Sequence, residues 1–399
     1  MPRTGSRRAI TGALVAAVFA ALSACSGVGE NPAERSDLPA FDSGDLARVG
    51  TAHDSALLDL DNPDFPTPLI DTAKVISGGP PPDGIPPIDA PTFEVASGVD
   101  WLESQEPVMS LTVYGETRAY PLRVMTWHEI VNDTVAGVPL AVTYCPLCNS
   151  GVAFERDVNG EVLTFGTSGL LFQDNLVMYD RQSESLWPQL TGEASIGVRT
   201  GEQLVAIPLG TVPWSEFLAA YPDSKVLSQE TGFDRPYGKN PYVGYDEAAG
   251  DLIFEPTDEL DARLLPKERV IGLSGGDTHI AVLRSALVGV DPLQIDVGGQ
   301  GVVMWHELGQ NSALDADSIT DGKDVGTVGV FDSRVDGEQL TFERVGDAVV
   351  DTKTASTWNV LGIATSGAFA GKQLQTVTHL DTFWFSWVLF NPDTTLEGN

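Results

Sequence analysis

The same pattern of residue types occurs twice in this sequence, and this repeat limits the folds that the chain can adopt. Segment 158–165 (VNGEVLTF) matches segment 335–342 (VDGEQLTF). Further residues recur in the same order: Asp180, Ser185, Trp187, Gly192, Gly197, Gly201 and Leu204 match Asp351, Ser356, Trp358, Gly362, Gly367, Gly371 and Leu374. From Gly192 to Leu204 the intervals are identical to those from Gly362 to Leu374. We therefore predict two homologous units that arose by duplication, over residues 99–245 and 246–396.

Most of each unit has the sequence pattern of strands. Leu140, Val142 and Tyr144 alternate with smaller or polar residues, which is typical of a half-buried strand. Asn159-Gly160 predicts a tight hairpin turn, because both residue types accept a positive φ at low cost. Asp336-Gly337 occupies the matching place in the second unit. The predicted fold class is β-rich α+β, with two homologous, internally duplicated units.

Two helices are predicted in each unit, and their positions are assigned in the first. One begins at Pro121 and places Val124, Trp127 and Val131 on a single stripe. The other begins at Pro213, buries Trp214, Phe217 and Leu218, and ends at Tyr221-Pro222.

The N-terminal residues have the features of an export signal. Three arginines precede a short apolar run from Ala9 to Ala21, which is too short to span a bilayer. Leu22-Ser23-Ala24-Cys25 resembles the lipobox of bacterial lipoproteins, in which the signal is cut before a cysteine that then carries lipid. We expect residues 1–24 to be a signal peptide, and Cys25 to anchor the protein by lipid to the extracytoplasmic face of the cell membrane. Residues 25–98 are rich in Pro, Gly and Asp and are predicted to form an extended tether.

The charge of the chain excludes one class of partner. The sequence carries 23 Lys and Arg against 56 Asp and Glu, a formal net charge of −33. A chain this acidic, without a stripe of Lys and Arg, is repelled by a phosphate backbone, so we predict no nucleic-acid partner. The sequence does not identify a small-molecule or protein partner.

Cys145-Pro146-Leu147-Cys148 is the candidate site. Two residues between cysteines allow both sulfurs to point to one centre, which suits a metal ion or a reversible disulfide. Three states remain open: a metal ion with His128 as third ligand, a redox-active dithiol, and a structural disulfide. Two thiolates and an imidazole favour zinc or copper over magnesium or calcium. The alternative for His128 is a hydrogen-bonded core residue, because Trp305-His306-Glu307 repeats its neighbourhood in a unit that lacks cysteines.

Other polar residues were considered as parts of this site or of a separate pocket. Glu129, Asp133 and Asp180 are candidate fourth ligands or bases beside the metal. Asp180, Arg181 and Trp187 together suggest a polar pocket with an aromatic wall. The alternative is a turn in which Asp180 caps local amides and Trp187 fills the core, and the recurrence of these residue types in the second unit favours that alternative.

Longer motifs give a resemblance to a known family. The segments 127–133 (WHEIVND), 143–151 (TYCPLCNSG) and 175–181 (NLVMYDR) resemble the prokaryotic envelope family known as domain of unknown function 3179. The resemblance covers about residues 100–395 and implies no established activity.

Our leading hypothesis is a cell-envelope lipoprotein that binds a transition metal or cycles a dithiol at Cys145, Cys148 and His128. The second hypothesis is a non-enzymatic binding or scaffold lipoprotein that uses the groove between the units and contains a structural disulfide. The sequence leaves open whether any reaction is catalysed.

Overall fold

The computed structural model describes residues 55–398. The predicted signal peptide and Cys25 lie outside these residues. The described chain is rich in strands and has three short α-helices within residues 55–398. Two lie in residues 99–245, as predicted, but only one lies in residues 246–396, where two were predicted. We refer to residues 99–245 as the N-terminal half and to residues 246–396 as the C-terminal half.

The elements up to the end of the N-terminal half are β1 (Val75–Ser77), β2 (Phe93–Val95), β3 (Pro107–Val113), β4 (Glu116–Pro121), α1 (Leu122–His128), β5 (Ile130–Val135), β6 (Val138–Cys145), β7 (Ser150–Glu155), β8 (Asp157–Val158), β9 (Glu161–Val162), β10 (Phe165–Phe172), β11 (Asn175–Asp180), β12 (Leu186–Pro188), β13 (Val205–Ile207), β14 (Leu209–Pro213), α2 (Trp214–Ala220) and β15 (Lys225–Leu227).

The elements of the C-terminal half are β16 (Arg269–Gly275), β17 (Thr278–Leu283), β18 (Leu293–Val297), β19 (Gln300–Glu307), β20 (Thr327–Asp332), β21 (Arg334–Val335), β22 (Glu338–Gln339), β23 (Phe342–Val345), β24 (Ala348–Asp351), β25 (Thr357–Trp358), β26 (Leu380–Phe383), α3 (Trp384–Phe390) and β27 (Thr395–Glu397).

The two halves contain sheets with the same order of strands. In the N-terminal half the order is β14-β3-β4-β15, with β2 added at the edge, and in the C-terminal half it is β26-β16-β17-β27. In both, the first two pairings are antiparallel and the last is parallel. The parallel strand is reached through a helix, α2 or α3, because a parallel pairing needs a crossover. Strands β10-β11-β12, to which β1 is added at the edge, correspond in order and direction to the three-stranded sheet β23-β24-β25.

Several local predictions are confirmed. Strand β6 contains Leu140, Val142 and Tyr144, and α2 begins after Pro213 and ends before Tyr221. Asn159 and Gly160 both have positive φ, 56° and 88°, as the predicted turn between β8 and β9 requires. Strand β6 is buried on both faces, rather than half-buried, because the two halves and the preceding segment cover it.

Helix α1 is shorter than predicted. It begins at Leu122 but ends at His128, because Glu129 has a φ of 59° and turns the chain into β5. Val131 therefore lies in β5 and not on the helix. Trp127-His128 closes α1, whereas Trp305-His306-Glu307 lies within β19, so these similar trios do not occupy matching places in the two halves.

The described part of the predicted tether is packed on the domain. Residues 55–98 contribute β1, which pairs with β10, and β2, which pairs with β15. Between them, Ile88 exchanges backbone hydrogen bonds with Ile130 and Asn132. Over residues 55–98 the end of the predicted tether therefore lies on the domain with fixed contacts. We call residues 75–95 the strap.

The halves share one apolar core beside the cysteines. Cys145, Cys148 and Trp187 from the N-terminal half pack in the same buried cluster as Phe383 and Phe385 from the C-terminal half. Among residues 55–398, no helix is long and apolar enough to cross a membrane.

Candidate functional site

Cys145 and Cys148 lie at the hairpin that joins β6 to β7. Cys145 is the last residue of β6 and pairs with Ser150, the first of β7. Both cysteines are free, and their exposed fractions are 1% and 0%. The Cys148 thiol lies close enough to raise the pKa of the Cys145 thiol. The structure therefore contains a reduced, fully buried dithiol, in which neither sulfur is open to solvent.

Polar groups from distant parts of the chain hold Cys148. Its Sγ donates to the backbone oxygen of Asp174 at 3.4 Å and accepts from Asn175 Nδ2 at 3.3 Å. Its backbone oxygen accepts from the Phe383 N–H at 3.0 Å and from Thr382 Oγ1 at 2.8 Å. Strand β26 of the C-terminal half thus covers the dithiol and fixes the turn that contains it.

Two buried carboxyl groups flank the dithiol. Glu129 is 6% exposed and Asp174 is 1% exposed. Burial raises the pKa of both carboxyls well above the usual range, and the nearby Cys145 raises both further. Burial also raises the pKa of the Cys145 thiol, and the neighbouring Cys148 thiol adds to that effect. Burial therefore favours the protonated, neutral forms of these three groups, because the site provides little positive charge to stabilise their ionised forms.

Asp174 has one unsatisfied oxygen. Its Oδ2 accepts a hydrogen bond from Tyr245 Oη at 3.3 Å, whereas Oδ1 is buried without a hydrogen-bond partner among residues 55–398. Lys267 Nζ lies 4.3 Å from the centre of the Tyr245 ring, and its charge lowers the pKa of Asp174 against the larger effect of burial. A buried oxygen without a hydrogen-bond partner costs stability, and no group within residues 55–398 provides that partner for Asp174 Oδ1.

The backbone is strained on three sides of the dithiol. Glu129, Asn149 and Asp174 have φ values of 59°, 50° and 58°, a region that residues other than glycine seldom occupy. Asp174 belongs to the two-residue turn between β10 and β11, where Asn-Gly is the usual choice. Such strain persists where the surrounding structure requires a particular side chain in that place, and it is common at functional sites.

A small cavity reaches this site from the strap. It has a volume of about 40 Å³ and is lined by Gly78 and Pro80 of the strap, by Glu129, by Leu147 of the cysteine turn and by Tyr242. Glu129 therefore both lines this cavity and interacts electrostatically with Cys145.

His128, the predicted third ligand, has other partners in the structure. Its Nδ1 lies 2.6 Å from the backbone oxygen of Pro86, so Nδ1 carries the proton and donates. Its Nε2 lies 2.6 Å from Tyr237 Oη and accepts from it. Burial lowers the pKa of His128 to about 4. His128 thus fastens the strap and the segment around Tyr237 to α1, and both ring nitrogens are occupied.

The remaining predicted residues lie in three separate networks. Asp133 accepts from Arg118 and from Tyr120 Oη, at 2.6 Å in each case. Asp180 caps the Ser183 N–H and accepts from Trp187 Nε1 at 3.0 Å. Arg181 donates to Asp83 and Asp89 of the strap. These contacts agree with the turn that we considered for Asp180 and Trp187, and they do not form a pocket with an aromatic wall.

Within residues 55–398, no group of three or more His, Cys, Asp or Glu side chains is placed to hold a metal ion. The structure brings Cys145 and Cys148 together, but it does not bring His128, Asp133 or Asp180 to them. Metal binding at the two cysteines stays a prediction. Sequence reasoning missed Asp174, although the Gln173-Asp174 pair between two apolar strands was a signal, because a two-residue turn of this kind usually contains glycine.

Comparison with known proteins establishes the class of this chain. A family model described as "Protein of unknown function (DUF3179)" matches residues 82–394. The chain therefore belongs to that family, as its motifs indicated. The match begins inside the strap and spans both halves, so the dithiol hairpin and the strand that covers it belong to one family domain. A search of curated proteins and a search of solved structures found no similar protein.

Proposed function

We propose that the protein binds a thiophilic transition-metal ion, zinc(II) or copper(I), through the thiolates of Cys145 and Cys148. The observation that carries this proposal is the buried, reduced dithiol beside an unsatisfied carboxyl oxygen, Asp174 Oδ1. Sulfur ligands select zinc and copper(I) over magnesium and calcium, which prefer oxygen. Binding replaces the two thiol protons by the cation, so the charge of the ion offsets the ionisation that burial otherwise opposes.

Asp174 distinguishes zinc(II) from copper(I) as the bound ion, because only zinc would use its carboxylate. A carboxylate oxygen is a good ligand for zinc, which takes three or four protein ligands, whereas copper(I) is satisfied by sulfur. Asp174 Oδ1 would complete a zinc site after a local movement of its turn, because no third ligand is already in place among residues 55–398. A copper(I) site would need the two sulfurs alone.

A redox dithiol is the second candidate, and the contact between the two thiols favours it. Oxidation to a disulfide releases two protons and two electrons, so it needs an acceptor such as a small disulfide that can enter the site. Burial opposes this route, because reactive cysteines are partly exposed and have a lowered pKa. We rank it below metal binding for that reason.

The experiment uses the full chain with Cys25→Ser, which removes the predicted lipid and keeps both buried sulfurs. Protein purified without chelator and kept reduced is titrated with zinc(II) and, separately, with copper(I) against a coloured competing chelator. We expect about one ion per chain, and loss of binding in Cys145→Ser and Cys148→Ser variants whose circular dichroism is unchanged. Binding that persists in the double variant would overturn the proposal. A protein that binds neither ion but forms a reversible disulfide would support the second candidate.

We further propose that the chain is a lipoprotein anchored to the membrane through Cys25 and exposed to the cell envelope. The support is the sequence of residues 1–25. Expression of the full gene should place the wild type in the membrane fraction and the Cys25→Ser variant in the soluble envelope fraction. An unchanged distribution would contradict the anchor.

Finally, we propose that the two halves arose by duplication. The matched sheet orders support this, and so does a repeated turn. Trp358 Nε1 donates to Asp351 Oδ2 at 3.2 Å, as Trp187 Nε1 does to Asp180 Oδ2 at 3.0 Å. After duplication, the scaffold was kept in both halves and the cysteines in one.

A further inference from the structure

A second cavity lies at the seam between the two halves, and we call it the seam cavity. It has a volume of about 270 Å³. Strands β7 and β13 form one wall, and β16, residues 378–380 and α3 form the other. Its apolar surface comes mainly from Val152, Phe154, Leu204, Leu209, Leu380 and Trp387. The size and the apolar lining are close to those of small-molecule sites, which start at about 300 Å³.

A buried hydroxyl without a partner lines the seam cavity. Ser386 is 0% exposed, and its Oγ has no hydrogen-bond partner among the described residues. A serine within a helix commonly donates to the carbonyl oxygen one turn before it, but Ser386 in α3 does not. A ligand in the cavity would provide the partner that this hydroxyl lacks.

His379 also lines the seam cavity. Its Nδ1 lies 2.7 Å from the backbone oxygen of Val377, so Nδ1 carries the proton. Burial lowers the pKa of this imidazole, which is therefore neutral near pH 7 and has an acceptor at Nε2. The cavity thus presents an acceptor at His379 and a hydroxyl at Ser386 in a mainly apolar lining, whose other polar residues are uncharged: Thr191, Gln203, Ser274, Thr378 and Asn391.

The charge of the lining residues further restricts the class of ligand. None of the described residues that line the seam cavity is Lys, Arg, Asp or Glu. A charged ligand would lose its hydration without gaining an ion pair, and an anion would also be repelled by a chain of net charge −33. The occupant is therefore neutral.

We infer that the seam cavity binds a neutral, mainly apolar small molecule that carries a hydroxyl group, such as a phenol or an alcohol. The hydroxyl of the ligand donates to His379 Nε2 and accepts from Ser386 Oγ, and its apolar body packs against Phe154 and Trp387. A ketone or an ether would satisfy Ser386 alone, because neither can donate to the histidine. This site is independent of the proposed metal centre.

The test compares naphthol with its methyl ether and with naphthalenecarboxylate on the full chain carrying Cys25→Ser, by isothermal titration calorimetry. We expect naphthol to bind, its methyl ether to bind roughly 5-fold more weakly, and the carboxylate not to bind. Ser386→Ala should weaken naphthol binding by a similar factor, whereas Ser215→Ala, which removes an exposed hydroxyl from α2, should leave it unchanged.

A second variant locates the ligand. Ala206→Phe places a ring in the cavity from β13, at a partly exposed position where the fold has room for a larger side chain. We expect it to abolish naphthol binding while the melting temperature is kept. Equal affinity for naphthol and its ether, no binding of naphthol, or unchanged binding to the Ser386→Ala or Ala206→Phe variant would overturn the inference.

Discussion

Two turns in the molecule are built alike, although they lie in different halves. Asp180 caps its turn and accepts from the Trp187 indole, and Asp351 does the same with Trp358. Each indole also contacts a phenylalanine edge-on, at ring distances of 5.6 Å and 5.8 Å. Features that recur in both halves, where most of the sequence differs, are the ones that the fold needs.

The hairpins beside these turns differ. In the N-terminal half the short turn 146–149 joins β6 to β7 and contains the dithiol, whereas in the C-terminal half residues 308–326 join β19 to β20 without a cysteine. This difference distinguishes the residues that build the fold from the residues of the candidate site. The Asp–Trp turns belong to the scaffold, and the dithiol, with the strained Glu129, Asn149 and Asp174 around it, belongs to the site.

The largest expected effect tests the shared scaffold. Trp187→Ala and Trp358→Ala should each lower the free energy of unfolding by about 3–5 kcal/mol, because both side chains are buried and both leave an aspartate without its partner. Denaturant unfolding measures this. Val198→Ala, at a 46% exposed position, is the control and should cost less than about 0.5 kcal/mol. A large cost in one half and a negligible one in the other would break the comparison.

The second prediction concerns His128, which has a structural role in the N-terminal half. Its pKa is about 4 in the folded state and 6.5 when unperturbed, so the folded state disfavours its protonation. Stability is therefore complete above pH 6.5 and falls by about 3 kcal/mol as the pH drops from 6.5 to 4. Unfolding curves across this range should show that loss in the wild type and not in His128→Gln. Identical pH dependence would show that His128 is not buried as a neutral group.

The third prediction uses matched glycines. Gly197 and Gly367 have φ values of 116° and 85°, and a Cβ on either would lie 2.5 Å from the hydroxyl oxygen of Ser185 or Ser356. Alanine at either position should cost about 1–3 kcal/mol, from backbone strain and this clash. Gly201 and Gly371 also have positive φ but open space around them, so alanine there should cost about 1 kcal/mol. Thermal unfolding of the four variants compares them, and equal costs at all four sites would exclude the close approach to serine.

The sequence predicted the scaffold better than the site. The repeat, the Asn159-Gly160 turn and α2 depend on local patterns, and the structure confirms the turn and the helix. Helix α1 ends before Glu129, earlier than the apolar stripe of the helix predicted, because the strands that follow impose a positive φ on Glu129. Asp174 lies beside the cysteines, whereas His128 forms hydrogen bonds with Pro86 and Tyr237. Both placements depend on contacts between segments far apart in sequence. Periodicity and spacing do not encode such contacts.

The smallest expected effect on stability concerns Asp174. It tests whether this residue belongs to the candidate site or to the scaffold. Asp174→Asn should raise the stability of the metal-free protein by about 1 kcal/mol, because burial disfavours the ionised carboxyl and an amide carries no charge. The same substitution should weaken zinc binding and leave copper(I) binding nearly unchanged. Paired unfolding and metal-competition measurements check both effects. Loss of stability without any change in metal affinity would assign Asp174 to the scaffold.

The most direct measurement of the central claim is X-ray absorption at the edge of the bound metal, on the full chain carrying Cys25→Ser. We predict two sulfur neighbours, at about 2.3 Å if the ion is zinc. Both should disappear with the metal when Cys145 and Cys148 are replaced by serine. A shell made entirely of nitrogen and oxygen, or one that survives the double replacement, would contradict the account.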